Sequence, residues 1–329
     1  MTALWTSEEI ASATGGRATT PFAVSGISID TRTIAPGELF VALTAARDGH
    51  DFVAEALAKG AAGALVSRVP EGVSDEAPLV LVADVLDGLR DMALAARART
   101  RAKVIGVTGS VGKTGTKEML RTMLAVQGRV HAAEKSFNNH WGVPLTLARM
   151  PRESDFAVIE IGMNAPGEIA PLSELARPDA AIVTTVAPVH IENFENLQGI
   201  AREKASIVAG LAPGGAAILN RDVETYPILR RRALRQKARV VTFGAGGRPA
   251  FRLREARLSD DATLVEARAG GETLLFKIGA PGTHLALNAL AALAAVEAVG
   301  GDLGRAALAL AHWHVPDGRG ARWLVGLGD

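Results

Sequence analysis

The chain has 329 residues, of which 48% are hydrophobic and 22% charged, a balance that suits a globular protein of two or three domains with a sizeable core. Its 36 basic and 35 acidic residues leave a formal net charge of +1, so charge gives no indication of a nucleic-acid partner. The lack of cysteine excludes disulfides, thiolate metal ligands and cysteine nucleophiles.

The N-terminal segment has no features of a secretory leader. Residues 1–9 lack a basic region followed by an apolar core, and the apolar stretches elsewhere are far shorter than a membrane span. We therefore expect a cytoplasmic protein without stable membrane insertion. The basic cluster at 230–235 is interpreted as a solvated helix face, with no nucleic acid as partner.

The first 83 residues predict a small domain of alternating strands and helices. "SIDTRTIAPGELFVAL" is typical of two strands joined by a loop that turns at Pro36-Gly37. "DFVAEALAKGAAGALVS" predicts an amphipathic helix that stops at Gly60 and a strand at 64–66. We expect an N-terminal domain over 1–83, a connecting helix over 84–102, a central domain over 103–314 and the start of a further domain over 315–329.

The stretch "KVIGVTGSVGKTGTKEML" (103–120) predicts a buried strand, a glycine turn and a helix. Free N–H groups and the positive helix end then meet at one point, which favours an anion. Lys113 is expected to reach the β- and γ-phosphates of a nucleotide, and the Thr114 hydroxyl to ligate Mg²⁺. Strict Walker spacing requires glycine where Val107 stands, and a purely structural turn is the alternative. The nucleotide-contacting loop is expected to comprise Gly109, Ser110, Val111, Gly112, Lys113, Thr114 and Gly115.

Strand and helix patterns alternate from residue 103 onwards. Such repeats indicate a largely parallel sheet covered by helices on both faces, with ligands beyond the carboxyl ends of its strands. Residues 250–280 predict short antiparallel strands, and 283–301 a buried alanine-rich helix. The fold class is therefore α/β, a small N-terminal domain followed by a mononucleotide-binding domain. The apolar runs that predict the later strands lie at 156–163, 180–190, 214–220 and 238–244.

Polar residues near the ends of these runs are candidate ligands. Glu160 lies within an apolar run, where a carboxylate needs a partner, either Mg²⁺ or a basic side chain. His190 ends the next run and is either a metal ligand or a hydrogen-bonded structural residue. Asn138-Asn139 form either a turn or a substrate contact. Lys204, on a predicted helix, has the pattern of an ordinary solvated lysine.

Several stretches together resemble the Mur ligases of peptidoglycan synthesis. They are "GVTGSVGKTGTKE", "SFNNHWGVPLTL", "EIGMNAPGEIAPLSELARPDAAIVTTVAPVHIENF" and "GTHLALNALAA". The loop with glycines at 106, 109 and 112 is that family's own form. "SIDTRTIAPGELFVAL…DGHDF" resembles a uridine-nucleotide-binding domain of the family, and the resemblance extends over 25–320.

The resemblance implies roles residue by residue. Lys113 and Thr114 would hold phosphates and magnesium, Glu160 and His190 would serve metal ions, and Lys204 matches a lysine that family members carry as a carbamate, an anionic metal ligand. Lys113, Glu160, His190 and Lys204 form the implied catalytic set, in which Thr114, Glu160, His190 and Lys204 contact metal. Asn288 would lie near the adenine, Thr31, Arg32, Asp48, Gly49 and His50 would meet the uridine diphosphate, and Asn138 and Asn139 the muramoyl-peptide.

The implied activity is ATP- and Mg²⁺-dependent amide formation through an acyl phosphate. The resemblance is closest to the member that joins D-alanyl-D-alanine to UDP-MurNAc-tripeptide, which would make these two molecules the partners of a monomer. The alternatives are the ligase of the same family that makes the tripeptide, and a non-catalytic nucleotide- or UDP-sugar-binding module. A P-loop kinase conflicts with the N-terminal domain.

Two departures from the family accompany the resemblance. Gly115 stands where threonine or serine is frequent, which we expect to be tolerated because Thr114 and Thr116 remain. The chain reaches only the threshold of the family's third domain, so we expect inefficient catalysis by this chain alone.

Overall fold

The computed structural model describes residues 3–133, 135–189 and 191–315. This part of the chain divides into two compact units. The first comprises the residues up to Ala102 together with Phe137–Ser154, and the second comprises Lys103–Ser136 and the residues from Asp155 onwards. The second unit thus begins where a central domain was expected, at Lys103. Residues 137–154 differ from the expectation, because their helix packs on the helix before Ala102.

The described residues of the first unit hold a five-stranded sheet in the order β2-β7-β6-β5-β4, in which β4 to β7 run parallel. Strands and helices are numbered in chain order. The strands are β1 (Trp5–Thr6), β2 (Arg17–Ala18), β3 (Ala23–Val24), β4 (Gly26–Ser28), β5 (Glu38–Val41), β6 (Gly63–Val66) and β7 (Leu79–Leu81). The helices are α1 (Ser7–Thr14), α2 (Val53–Ala58), α3 (Val85–Arg99) and α5 (Gly142–Ala148).

Local chemistry explains how α1 begins and why 137–154 belongs to this unit. The Thr6 hydroxyl accepts the Glu9 N–H and the Glu9 carboxylate accepts the Thr6 N–H, a capping box that satisfies donors at the helix start. The Trp5 indole N–H donates to the Ala148 carbonyl at 2.9 Å. The α5 residues Leu145 and Ala148 share a buried apolar cluster with residues of α3.

Within the described residues, the second unit holds a nine-stranded sheet in the order β16-β15-β14-β13-β12-β11-β8-β10-β9. Its strands are β8 (Lys103–Thr108), β9 (Val130–Ala132), β10 (Phe156–Glu160), β11 (Ala180–Val183), β12 (Ala216–Asn220), β13 (Arg239–Gly244), β14 (Phe251–Leu258), β15 (Thr263–Ala269) and β16 (Glu272–Ile278). Its helices are α4 (Lys113–Ala125), α6 (Ile169–Ala176), α7 (Leu197–Ala205), α8 (Tyr226–Arg235), α9 (Thr283–Ala298) and α10 (Leu303–Ala309).

The predicted α/β class and parallel sheet are confirmed. Strands β8 to β14 all pair in parallel with their neighbours in this part of the sheet. Strands β14, β15 and β16 form the antiparallel extension expected at 250–280. The alanine-rich helix α9 is buried against the sheet, as its composition indicated. No helix in the described ranges is long and apolar enough to cross a membrane.

The strand order positions the candidate site. Strand β8 lies between β10 and β11, with Glu160 in register with Val107 and Val183 in register with Thr108. The carboxyl ends of these three strands therefore meet at one edge of the sheet, from which the glycine loop leads into α4.

Candidate functional site

The glycine loop between β8 and α4 requires its glycines at two positions. Gly109 has φ +151° and Gly112 φ +85°, backbone conformations that side chains rarely adopt. A Cβ on Gly109 would lie 1.9 Å from Thr184 Oγ1, so any side chain there would displace the end of β11. Gly112 caps α4, whose first N–H groups lack intrahelical partners and form an anion site.

The loop is fixed to the segment that follows β11. The Ser110 hydroxyl donates to the Ala187 carbonyl at 2.8 Å and accepts the Ala187 N–H at 2.9 Å. The Thr184 hydroxyl donates to the Val111 carbonyl at 2.6 Å. These bonds hold the loop in shape, and the Ser110 side chain anchors it. Thr184 and Ala187 were not among the predicted site residues, because the pairing of strands β8 and β11 brings them there.

Lys113 and Thr114 point to different parts of the site. The Lys113 ammonium folds back and donates to the Gly109 carbonyl at 2.7 Å. The Thr114 hydroxyl donates to Glu160 Oε2 at 3.0 Å and lies 3.1 Å from Ser136 Oγ. The structure thus brings together a hydroxyl of the loop and a buried carboxylate of a neighbouring strand, 46 residues apart in the chain.

Ser136 was missed by sequence reasoning, although one signal points to it. It follows the short parallel strand β9, at the same sheet edge as Glu160. The Glu160 side chain is only 2% exposed, and its carboxylate accepts a hydrogen bond from the Thr114 hydroxyl. A hydroxyl is therefore one of the partners that this buried carboxylate requires. Among the described residues, no three His, Asp or Glu side chains cluster as metal ligands. The oxygen-bearing side chains that could hold a metal ion here are those of Thr114, Ser136 and Glu160, which hydrogen bonds bring together. His190 lies outside the described residues.

Lys204 lies on α7 and is buried, with 3% of its surface exposed. The expectation of a solvated lysine is wrong. Burial, with a further contribution from the positive charge of Lys113, lowers the pKa of Lys204 to about 7, while the neighbouring Glu203 opposes the shift. A large fraction of this amine is therefore neutral near pH 7.

Glu203 fixes α7 to the chain before α6. Its carboxylate accepts the Gly167 N–H through Oε2 and the Ile169 N–H through Oε1, each at 2.8 Å. These bonds join the helix that carries Lys204 to the segment that follows Glu160 in the chain. Glu203 was not predicted, because a glutamate beside a lysine on a helix has no distinctive pattern.

Asn288, on α9, lies beside the loop. A Cβ on Gly112 would be 3.0 Å from both its amide nitrogen and its amide oxygen. The predicted site residues Lys113, Thr114, Glu160 and Asn288 thus surround the loop or its helix in the second unit.

In the first unit, Asp48 and His50 form one network. His50 is 3% exposed, and its Nε2 accepts the Ser67 N–H at 2.9 Å, which assigns the proton to Nδ1. The Nδ1–H then donates to Asp48 Oδ1 at 2.6 Å, and Arg68 donates to Asp48 Oδ2 at 2.8 Å. The Arg68 and His50 hydrogen bonds hold the pKa of Asp48 well below its usual range.

The remaining predicted residues of this unit have backbone and turn roles. A Cβ on Gly49 would lie 2.5 Å from the Ala42 backbone, so the close approach requires glycine. Thr31 is buried, and its carbonyl accepts from Lys59 at 2.9 Å. Arg32 is exposed and pairs with Asp30. Asn139 accepts the Gly142 N–H at 2.9 Å at the start of α5, the turn role left open above, and Asn138 precedes it in the same unit.

Comparison with protein families matches residues 107–296 to the Mur ligase middle domain. The chain is 37% identical over 273 residues to the UDP-N-acetylmuramoyl-tripeptide--D-alanyl-D-alanine ligase of Bacillus subtilis (strain 168), covering 83% of this chain. It spans 58% of the length of that relative.

Two solved structures are similar to the chain. A crystal structure of MurF from Acinetobacter baumannii has a TM-score of 0.85 and 29% identity, and the match covers 96% of this chain and 69% of that one. A structure of MurF ligase from Thermotoga maritima in complex with ADP has a TM-score of 0.75 and 27% identity, covering 89% of this chain and 67% of that one.

Proposed function

The chain belongs to the Mur ligase family, and on that premise we propose that it carries the nucleotide and peptide sites of a UDP-N-acetylmuramoyl-tripeptide–D-alanyl-D-alanine ligase. The observation that carries the proposal is the glycine loop with Lys113 folded onto it, next to the hydrogen bond between Thr114 and Glu160, at the carboxyl edge of the parallel sheet. The named B. subtilis relative supports the choice of substrate. The ADP complex of the T. maritima protein supports ATP as the nucleotide.

The proposed reaction activates a carboxylate that is otherwise a poor electrophile. A terminal carboxylate oxygen of the UDP-MurNAc-tripeptide bonds to the γ-phosphorus of ATP, and the bond from that phosphorus to the β–γ bridging oxygen breaks, which releases ADP. Catalysis of such a step rests on positioning and charge neutralisation. The Lys113 ammonium, released from the Gly109 carbonyl, and the first N–H groups of α4 supply both around the phosphates.

The second step forms the amide. The neutral amine of D-alanyl-D-alanine bonds to the acyl carbon, inorganic phosphate leaves with its electron pair, and the nitrogen loses one proton to a base.

The residues around Thr114 fit a magnesium ion. Thr114, Ser136 and Glu160 supply hydroxyl and carboxylate oxygens within one hydrogen-bonded set, and Mg²⁺ prefers oxygen ligands completed by water and substrate phosphates. When bound, the ion would neutralise charge on the transferred phosphoryl group. His190 is proposed as a further ligand on the family resemblance alone.

Lys204 is proposed to carry the carbamate that the resemblance implies. A neutral amine is the form that adds CO₂, through a new N–C bond and loss of one proton. The burial that lowers the pKa of Lys204 to about 7 keeps much of the amine neutral at physiological pH. Enrichment with ¹³CO₂ should give a carbamate signal in the NMR spectrum that the Lys204→Arg variant lacks.

The first unit is proposed to bind the uridine diphosphate part, with Thr31, Arg32, Asp48, Gly49 and His50 around it. These residues follow the carboxyl ends of the adjacent parallel strands β4 and β5. The Asp48–His50–Ser67 network, built around the buried His50 ring, would keep the segment rigid. Asn138 and Asn139 are proposed to face the muramoyl-peptide.

Calorimetric titration tests the substrate assignment. UDP-MurNAc-tripeptide should bind to the chain at least tenfold more tightly than UDP-MurNAc-dipeptide, the substrate of the ligase that makes the tripeptide. The reverse preference would assign the chain to that earlier step. If both UDP-MurNAc-peptides bound but ADP showed no Mg²⁺-dependent binding, the chain would be a non-catalytic UDP-sugar-binding module.

A further inference from the structure

Lys117, one helical turn beyond Lys113 on α4, has no role in the function proposed above. It is 0% exposed and is among the largest fully buried side chains of the described residues. A buried ammonium loses its hydration, which costs several kcal/mol unless charge and hydrogen bonds compensate. An apolar side chain of the same length would fill this space without that cost, so the contacts of the charged group call for an explanation.

Among the described residues, the ammonium of Lys117 contacts one carbonyl and one carboxylate. It donates to the Ala133 carbonyl at 2.5 Å and pairs with Glu118 Oε1 at 2.9 Å. The Glu118 carboxylate is itself mostly buried and lies 3.5 Å from Arg121. The bond to Ala133 links Lys117 to a residue outside α4, since Ala133 directly follows strand β9.

Ala133 begins the segment that leads to Ser136. Three residues span at most about 10 Å, so the position of Ala133 restricts where the Ser136 hydroxyl can lie. That hydroxyl is 3.1 Å from Thr114 Oγ1, which in turn donates to Glu160. Both ends of the segment 133–136 are thus bound to the same helix, one through Lys117 and the other through Thr114.

We propose that Lys117 is a positioning residue for the metal-nucleotide site: it holds Ala133 to α4, which places the Ser136 hydroxyl beside Thr114 and Glu160, where Mg²⁺ and the nucleotide would bind. The inference rests on the proposed function, since it assigns Lys117 a purpose in binding Mg²⁺ with the nucleotide. A buried ion pair that only stabilises the fold would affect folding, and would leave the metal dependence of nucleotide binding unchanged.

The test is the affinity for ADP, measured by calorimetry with Mg²⁺ and with EDTA, in a double-mutant cycle of Lys117→Met and Ser136→Ala. Each single variant should lose about tenfold of the Mg²⁺-dependent gain in affinity, the scale on which partners behind metal ligands act. Affinity in EDTA should change less than twofold. The double variant should lose no more than the larger single loss, because Lys117 acts through Ser136.

Lys103→Met is the matched control. Lys103 pairs with Asp179 at 3.1 Å at the opposite end of β8, so its removal should leave both affinities unchanged. Should Lys117→Met fail to fold, Lys117→Gln replaces it in the cycle, since glutamine keeps a polar end for folding, but its side chain is one bond shorter and should fall short of the Ala133 carbonyl. The same Mg²⁺-specific, non-additive loss is expected of it.

The outcomes separate the inference from the function it rests on. Wild-type chain that binds ADP equally with and without Mg²⁺ would contradict the proposed function. Wild-type chain with Mg²⁺-dependent binding, beside a Lys117 variant with the same dependence, would overturn the inference alone. Additive losses in the double variant would also overturn it.

Discussion

Single atoms decide the shape of the glycine loop, and two glycines six residues apart make this testable. Gly109 has a positive φ and no room for a Cβ, whereas Gly115 lies within α4 with nothing within 4 Å of a built Cβ. Gly109→Ala should therefore abolish measurable ADP binding and destabilise the protein. Gly115→Ala should keep binding and raise stability by about 0.5–1 kcal/mol, because alanine is the better helix former.

Calorimetric ADP binding and chemical unfolding of both variants check this pair. Normal ADP affinity in Gly109→Ala would contradict the described loop conformation. A loss of affinity in Gly115→Ala would mean that this position contacts the nucleotide through more than its backbone.

The buried amine of Lys204 predicts a specific dependence of stability on pH. Its folded pKa, about 7, lies below the value near 10.4 of an unfolded lysine, so the unfolded chain binds more protons between these values. The burial cost is fully present below pH 7 and is relieved as the pH rises. Relative to Lys204→Met, the wild-type free energy of unfolding should rise by about 2 kcal/mol from pH 7 to 9.

Urea unfolding in CO₂-depleted buffer measures this difference, since a carbamate would remove the titrating amine. Parallel pH profiles of wild type and Lys204→Met would show that the amine is not buried as described.

At the scale of helices, Glu203 connects α7 to the start of α6, and the loss of this connection should lower the free energy of unfolding. It accepts two backbone N–H groups ahead of and within the start of α6, and removing it leaves both without this acceptor. Glu203→Ala should lower the free energy of unfolding by about 3 kcal/mol, the sum of two charge-assisted bonds. Glu174→Ala, on the exposed face of α6, should change it by less than about 0.5 kcal/mol.

Chemical unfolding of the two variants provides the comparison. If both variants changed the free energy of unfolding by the same small amount, water would replace the carboxylate of Glu203 as acceptor. The connection between α6 and α7 would then contribute nothing to stability.

The sequence predicted where individual strands and helices lie better than it predicted which of them pack against one another. The β-branched runs and glycines located β8, β10, β11 and α4, because both patterns are local. The burial of Lys117 and Lys204 was not predictable, since it depends on which strands and helices pack over them. Ser136 likewise reaches Thr114 only because β9 lies next to β10.

In the whole molecule, the division into units shows where chain order misleads. Residues 137–154 follow the nucleotide loop in sequence but belong to the first unit, because α5 buries its apolar face against α3. The α/β class and the parallel sheet could be predicted from alternating patterns, whereas a chain that leaves a unit and returns gives no local signal. The family resemblance supplied Lys204 and Asn288, which composition and spacing did not distinguish.

Product formation is the direct test of whether this chain carries the site of a D-alanyl-D-alanine-adding ligase. Because the chain spans 58% of its B. subtilis relative, the assay uses both this chain and the chain extended by the part of that relative that it does not span. Mass spectrometry follows UDP-MurNAc-tripeptide incubated with ATP, Mg²⁺ and D-alanyl-D-alanine. The assignment requires conversion to the pentapeptide with one ADP per product, and the Lys113→Ala variant should lose this conversion. No conversion by either form, or conversion only of UDP-MurNAc-dipeptide with a free amino acid, would contradict it.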